Sequence, residues 1–158
     1  MRTWVDASSL IALDKVGEVL LLRDLLSRVS ITREVHDEVV TGRESVALRD
    51  ALGVWIEVVP LRRDLRPWTR RGLGPGEASL LGTPKGDRLV LDDAAARAMA
   101  HAEGRDTVGL LGLLLAGVRD QKLSGSRARQ VLRQLVQSGF HVASPLYEKM
   151  VREMGGEK

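Results

Sequence analysis

The chain has 158 residues, no cysteine, 44% hydrophobic and 28% charged side chains, and a formal net charge of +3. Its size is close to that of a typical domain, roughly 100 to 150 residues, so we read residues 1–158 as one domain with a core of its own. The missing cysteines exclude a disulfide framework and any thiolate metal site and fit a reducing cytoplasm, the expected location. The longest apolar stretch, Val108 to Val118, falls short of the roughly 17 to 25 residues a bilayer span needs. Met1-Arg2-Thr3-Trp4-Val5-Asp6 puts charge where a secretory signal would have to be apolar, so neither membrane nor export is expected.

In chain order, strand-like and helix-like patterns alternate. Thr3 to Val5 is β-prone, and Ser8 to Leu26 carries apolar residues at helical spacing, broken near Gly17. Val29 to Ile31 is a second strand, after which Thr32 caps a helix to about Val40. Another helix is expected over Arg43 to Leu52, stopped by Gly53, and a third strand over Val54 to Val59. A basic connector follows, and Pro75 opens a helix through Leu81. Arg88 to Leu91, Ala94 to Glu103 and Thr107 to Gly109 read as strand, helix and short strand. Three helices complete the chain: the apolar one up to Asp120, one from Ser126 to Gly139 and one from Leu146 to Met154. Such alternation predicts an α/β fold, a mostly parallel central sheet between helices. Ligands of these sheets bind at the carboxyl ends of the strands, where strand order reverses.

Acidic residues fall where such a fold builds sites: Asp6 after the first strand, Glu38 in the helix after the second, Glu77 in Gly-Pro-Gly-Glu-Ala, and Asp92-Asp93 after the fourth strand. Each has a plain alternative. Asp6, Asp92 or Asp93 could simply cap the next helix, and Glu77 sits where a carboxylate meets the positive end of a helix. Glu38 and Glu34 share a helix face, and the pattern alone leaves open which one points inward. Taken together, a convergent carboxylate cluster in a chain without cysteine would favour Mg²⁺ or Mn²⁺. Without cations, four packed carboxylates would repel and take up protons. His36, His101 and His141 are scattered, and none stands beside a serine as a nucleophile's base.

Charge is uneven. Between Leu61 and Arg71, Arg62, Arg63, Arg66, Arg70 and Arg71 face a single Asp64, leaving a local surplus of four positive charges with Trp68 in their midst. A phosphate backbone and an unstacked base would suit such a stretch; so would a role as solvated connector.

The succession Val5-Asp6-Ala-Ser-Ser-Leu-Ile-Ala-Leu, Ile31-Thr-Arg-Glu-Val-His-Asp-Glu38-Val, Leu73-Gly-Pro-Gly-Glu77-Ala and Leu91-Asp-Asp-Ala-Ala-Ala-Arg97 resembles the PIN-domain family. More narrowly, it is similar to a prokaryotic PIN-like branch that also shows a Gly-Leu-Leu-Gly112 type helix and a Ser-Pro-Leu-Tyr147-Glu ending. The resemblance covers about residues 2 to 154 and implies a three-layer α/β/α sandwich. It also implies a divalent-metal ribonuclease site like those of VapC-type toxins, with a small antitoxin and a homodimer as expected partners. On this resemblance Asp6, Glu38, Glu77 and one of Asp92 and Asp93 are the catalytic acids. Asp6, Glu77, Asp92 and Asp93 are the candidate metal ligands, and Ser8 supports Asp6. Branch members commonly carry a threonine between the two glycines where this chain has Leu110 and Leu111. The alternative from another class is a non-catalytic RNA- or partner-binding module. A phosphoryl-transfer enzyme of the haloacid dehalogenase or receiver type is disfavoured, because Asp6-Ala7-Ser8 lacks the second aspartate of the former and no acidic pair follows the first strand as in the latter.

Overall fold

A computed structural model describes residues 2–155. Five parallel strands, β1 (Thr3–Val5), β2 (Val29–Thr32), β3 (Ile56–Val59), β4 (Arg88–Val90) and β5 (Asp106–Val108), form one sheet in the order β3-β2-β1-β4-β5. The chain builds outward from β1 to β2 and β3, then returns to place β4 on the other side of β1. Strand order therefore reverses between β1 and β4. β1 and β2 are buried along their whole lengths, as parallel strands covered on both faces must be.

The helices are α1 (Ala7–Lys15), α2 (Leu21–Leu25), α3 (Arg33–Val39), α4 (Val46–Ala51), α5 (Arg66–Thr69), α6 (Pro75–Leu81), α7 (Ala94–Ala102), α8 (Leu110–Arg119), α9 (Gly125–Gln137) and α10 (Ser144–Gly155). α3, α6 and α7 pack in sequence against one another, while α8 gathers α2, α9 and α10. Helices covering both faces of the sheet give the three-layer α/β/α architecture. Trp4, Leu10, Ile31, Leu80, Leu89, Leu110 and Leu114 are fully buried in a core that all the layers share. No helix among the described residues is long and apolar enough to cross a membrane.

Three elements depart from the sequence pattern. α4 begins at Val46, three residues later than expected, because the Ser45 hydroxyl caps Leu48 N–H while its own N–H and O–H donate to Asp14. β3 begins at Ile56: Gly53 turns the chain with φ +79°, and the N–H groups of Val54 and Trp55 are both taken by Ala51 C=O. The basic connector contains α5. There Asp64 accepts from Arg66 N–H, and Trp68, half-buried, packs against the core and donates its Nε1–H to Glu103 at 2.7 Å.

Arg105, only 4% exposed, ties the α6–β4 connection to the start of β5. Its guanidinium donates to the carbonyls of Leu81 and Thr83 at 3.1 and 3.2 Å, to the Thr83 hydroxyl at 2.8 Å and to Pro84 C=O at 3.0 Å.

Candidate active site

Asp6 and Asp92 leave adjacent strands at the point of reversal and are joined there. Asp92 N–H donates to Asp6 Oδ2 at 2.9 Å, and Asp6 N–H donates to Val90 C=O at 3.0 Å. Asp6 Oδ1 also caps α1 by accepting from Ser9 N–H at 3.0 Å, and Ser8 Oγ–H reaches Oδ2 at 3.1 Å. Asp6 is therefore both the cap and a member of the acidic group. Burial pushes its carboxyl above the ordinary 3.8; hydrogen bonds from Ser9 and from the Asp92 amide oppose that rise, and the Asp92 charge adds to it. Asp92 is held on both oxygens, by Ser9 Oγ–H at 2.7 Å and by Leu110 N–H at 3.1 Å. The carboxylate thereby caps α8 from outside, where Gly109 has no side chain to do it. The sequence pattern did not single out Ser9. Its signal was its place three residues after Asp6, where a first-turn amide meets an N-cap side chain.

The second pair comes from α3 and α6. Glu38 lies over the first turn of α6 beside Glu77, and the two glycines of Gly74-Pro75-Gly76-Glu77 make room for it. A Cβ on Gly76 would collide with the Glu38 carboxylate, and one on Gly74 would come within 3.0 Å of Glu77 Oε1. Partial burial, then the Glu77 charge, then more weakly that of Asp6, hold the Glu38 carboxyl above its ordinary 4.5, against the stabilising Gly76 amide. A buried hydroxyl chain fixes α3 to α6. Val35 N–H donates to Thr32 Oγ1 at 3.1 Å, Thr32 pairs with Ser79 Oγ at 2.7 Å, and Ser79 donates to Gly76 C=O at 2.6 Å. Glu34 Oε1 is buried and without a partner among the described residues.

Other expected site residues have different positions. Asp93 is exposed and caps α7 through Ala96 N–H at 2.9 Å, so of the adjacent pair Asp92 alone joins Asp6. The five arginines are exposed; the beginning of their segment is anchored away from the acids, whereas Arg71 stands three residues before the Gly74 that opens α6. Arg63 packs its stem against Gly82, at the end of α6 opposite Glu77. Trp68 is bonded to Glu103, at the end of α7 opposite Asp93. The seven-residue α6 puts about 10 Å between its ends. Arg66 is already paired with Asp64 at 2.9 Å, which pulls that carboxyl down to about 2. Trp68, expected as a stacking platform, instead packs α5 onto the core.

Asp6, Glu38, Glu77 and Asp92 present only carboxylate oxygens, the donor set of a hard divalent cation. They are brought together in two pairs. Among the described residues no three acids are close enough to be the common ligands of one ion as placed. The donor chemistry fits a divalent cation all the same. Burial and neighbouring like charge hold the carboxyls of Asp6 and Glu38 up, and a cation between the pairs would relieve both.

A family model described as a PIN domain matches residues 3–156. No curated protein and no solved structure matches the chain. The family match runs over nearly the whole sequence and agrees with the parallel sheet and with the acids at its point of reversal; the chain belongs to the PIN-domain family and has its nuclease-type fold.

Proposed function

We propose that the protein is a divalent-metal-dependent endoribonuclease that hydrolyses RNA phosphodiester bonds, a toxin of a toxin–antitoxin pair or a relative of one. The observation that carries this reading is the Asp6–Asp92 union across the strand reversal, with Glu38 and Glu77 brought to the same end of the sheet by α3 and α6. A cation seated between the two pairs would draw on Asp6 and Asp92 from one and on Glu77 from the other, which have to close on it from their present spacing. When bound, it supplies charge neutralisation at the phosphoryl oxygens and acidifies the attacking water. Ser8 and Ser9 each hold an oxygen of one aspartate by a hydroxyl hydrogen bond and so fix the orientation of both carboxylates. Glu38, exposed at its tip and with a raised pKa, is suited to accept a proton from water at a carboxylate oxygen.

The experiment is cleavage of single-stranded RNA by the purified protein in Mg²⁺ or Mn²⁺. Activity should vanish in EDTA and in Asp6→Asn and Asp92→Asn, with circular dichroism unchanged. Undiminished cleavage in EDTA would overturn the proposal. The pairwise spacing of the acids favours a second reading, a non-catalytic RNA- or partner-binding module; it predicts RNA binding with no cleavage under any divalent cation. A small antitoxin and a two-fold dimer through the C-terminal helices complete the proposal. Light scattering at the 17.3 kDa of one chain across micromolar concentrations would remove the dimer from it.

A further inference from the structure

We propose that the cleft running from Asp92 under α10 is a nucleobase pocket that takes the base adjoining the scissile phosphate; this rests on the ribonuclease reading above. The cleft has a volume of about 640 Å³, well inside the roughly 300 to 1,000 Å³ of small-molecule sites. Its interior is apolar, formed by Val108, Leu111 and Leu115 on one wall and by Met150 on the other. Its rim carries two cations, Arg97 and Lys149, which with His141 are exposed around the opening. Glu153, the other acid of the lining, is committed to Arg119 at 3.0 Å.

The cleft and the acids share a boundary. A Cβ built on Gly109 would stand 3.0 Å from Asp92 Oδ1 and 3.4 Å from Arg97 Nη1, so carboxylate and guanidinium converge on one glycine at the mouth. Phe140, the only phenylalanine of the chain, is half-buried and lines this cleft. It also lines a smaller hollow of about 280 Å³ that contains Ser8 and Lys15. The ring therefore stands between two hollows, one bordered by the support of Asp6 and the other by Asp92. A phosphate held at the aspartates would leave its neighbouring base over the larger hollow, where Phe140 offers a face to stack on and Thr107 and His141 offer groups for its edge. Arg97 and Lys149, on the cleft lining, are placed for the flanking phosphates. An apolar floor alone would suit many occupants. A cationic rim opening onto an anion-processing carboxylate pair selects a nucleotide.

The test is a ¹H–¹⁵N NMR titration of the full chain with each ribonucleoside 5′-monophosphate and with short oligoribonucleotides, in Ca²⁺ to limit cleavage. One base type should saturably shift the amides of Gly109, Gly112 and Phe140. Lys149→Ala and Arg97→Ala, at exposed positions that leave the fold intact, should weaken binding about tenfold each, the scale of a lost charge-assisted contact. Leu115→Trp should fill the cleft and abolish the shifts, and should alter the base preference at cleaved positions while cleavage still depends on Asp6. If RNA is cut but no nucleotide or oligonucleotide shifts these amides, the pocket fails and the nuclease reading stands. If nucleotides bind there and no RNA is cut, the nuclease reading fails and the cleft stands as a nucleotide site. Saturation by an antitoxin-derived peptide with no response to nucleotides would make it a protein-docking groove and overturn the proposal.

Discussion

Ser9 does for Asp92 what Ser8 does for Asp6: each puts a hydroxyl on an oxygen of one aspartate, and Ser9 adds a main-chain amide to the other. Ser9→Ala should therefore lower cleavage by about tenfold or more by freeing Asp92, with thermal stability reduced by about 1 to 3 kcal/mol for the uncovered polar contact. A melting curve beside a rate measurement checks both. At Glu38 and Glu34 the expected outcomes diverge. Glu38→Gln should cost orders of magnitude in rate and Glu34→Gln little, since Glu38 lies beside Glu77; equal losses would mean that the other face of α3 works. Stability supplies an independent reading. The Glu38 pKa is raised in the fold, so the metal-free protein is relieved of this charge below the ordinary 4.5 and loses stability as pH rises through the folded value. Glu38→Gln should flatten that fall, visible in melting temperatures across pH in EDTA. Asp6 was legible in the sequence because it follows the first strand, but the choice between Asp92 and Asp93 was not. It is made by Ser9, 83 residues away, and by the amide of Leu110, 18 residues on.

At the scale of elements, α3 and α6 act as one part. The hydroxyl chain from Thr32 through Ser79 to Gly76 fixes their separation, and the separation decides whether Glu38 lies beside Glu77. Ser79→Ala leaves the buried Thr32 hydroxyl without its acceptor and should cost about 1 to 3 kcal/mol in chemical denaturation. Gly76→Ala should leave Pro75's helix start intact yet displace Glu38, so rate falls further than stability does; a stability loss with full activity would refute this account of the glycine. Elements with periodicity, α8 and α9 among them, were readable from apolar spacing. α5 was not: four residues contain too little period, and this helix depends on Trp68 docking and on Asp64 accepting from Arg66 N–H. The late start of α4 likewise depends on Asp14, 31 residues earlier in the chain.

For the whole molecule, the uneven charge has been given a place. Arg63 stands at the far end of α6, a helix length from Glu77, while Arg70 and Arg71 lie just before the Gly74 that opens it. Arg63 would meet RNA at phosphates away from the cut. Replacing all five by Ala should then lower the salt slope of single-strand binding by roughly 0.7 per cation engaged and leave the cut position unchanged, measured by filter binding at several KCl concentrations. Wild-type slope and affinity would make the segment a solvated connector. Trp68→Ala should act through stability instead, since its ring joins α5 to the core and its N–H to Glu103.

The strand order also sets a schedule for synthesis. β1 emerges first yet occupies the middle of the sheet, and its partner β4 comes only after β2 and β3 are made. A nascent chain ending before Leu110 has all four acids, but Asp92 still lacks one of its two supports. The walls of the cleft come later still, with Phe140 and Met150. Translation thus delivers charge first, geometry second and the cleft last, so that on the proposed function a growing chain gains the means to cut before the means to choose where.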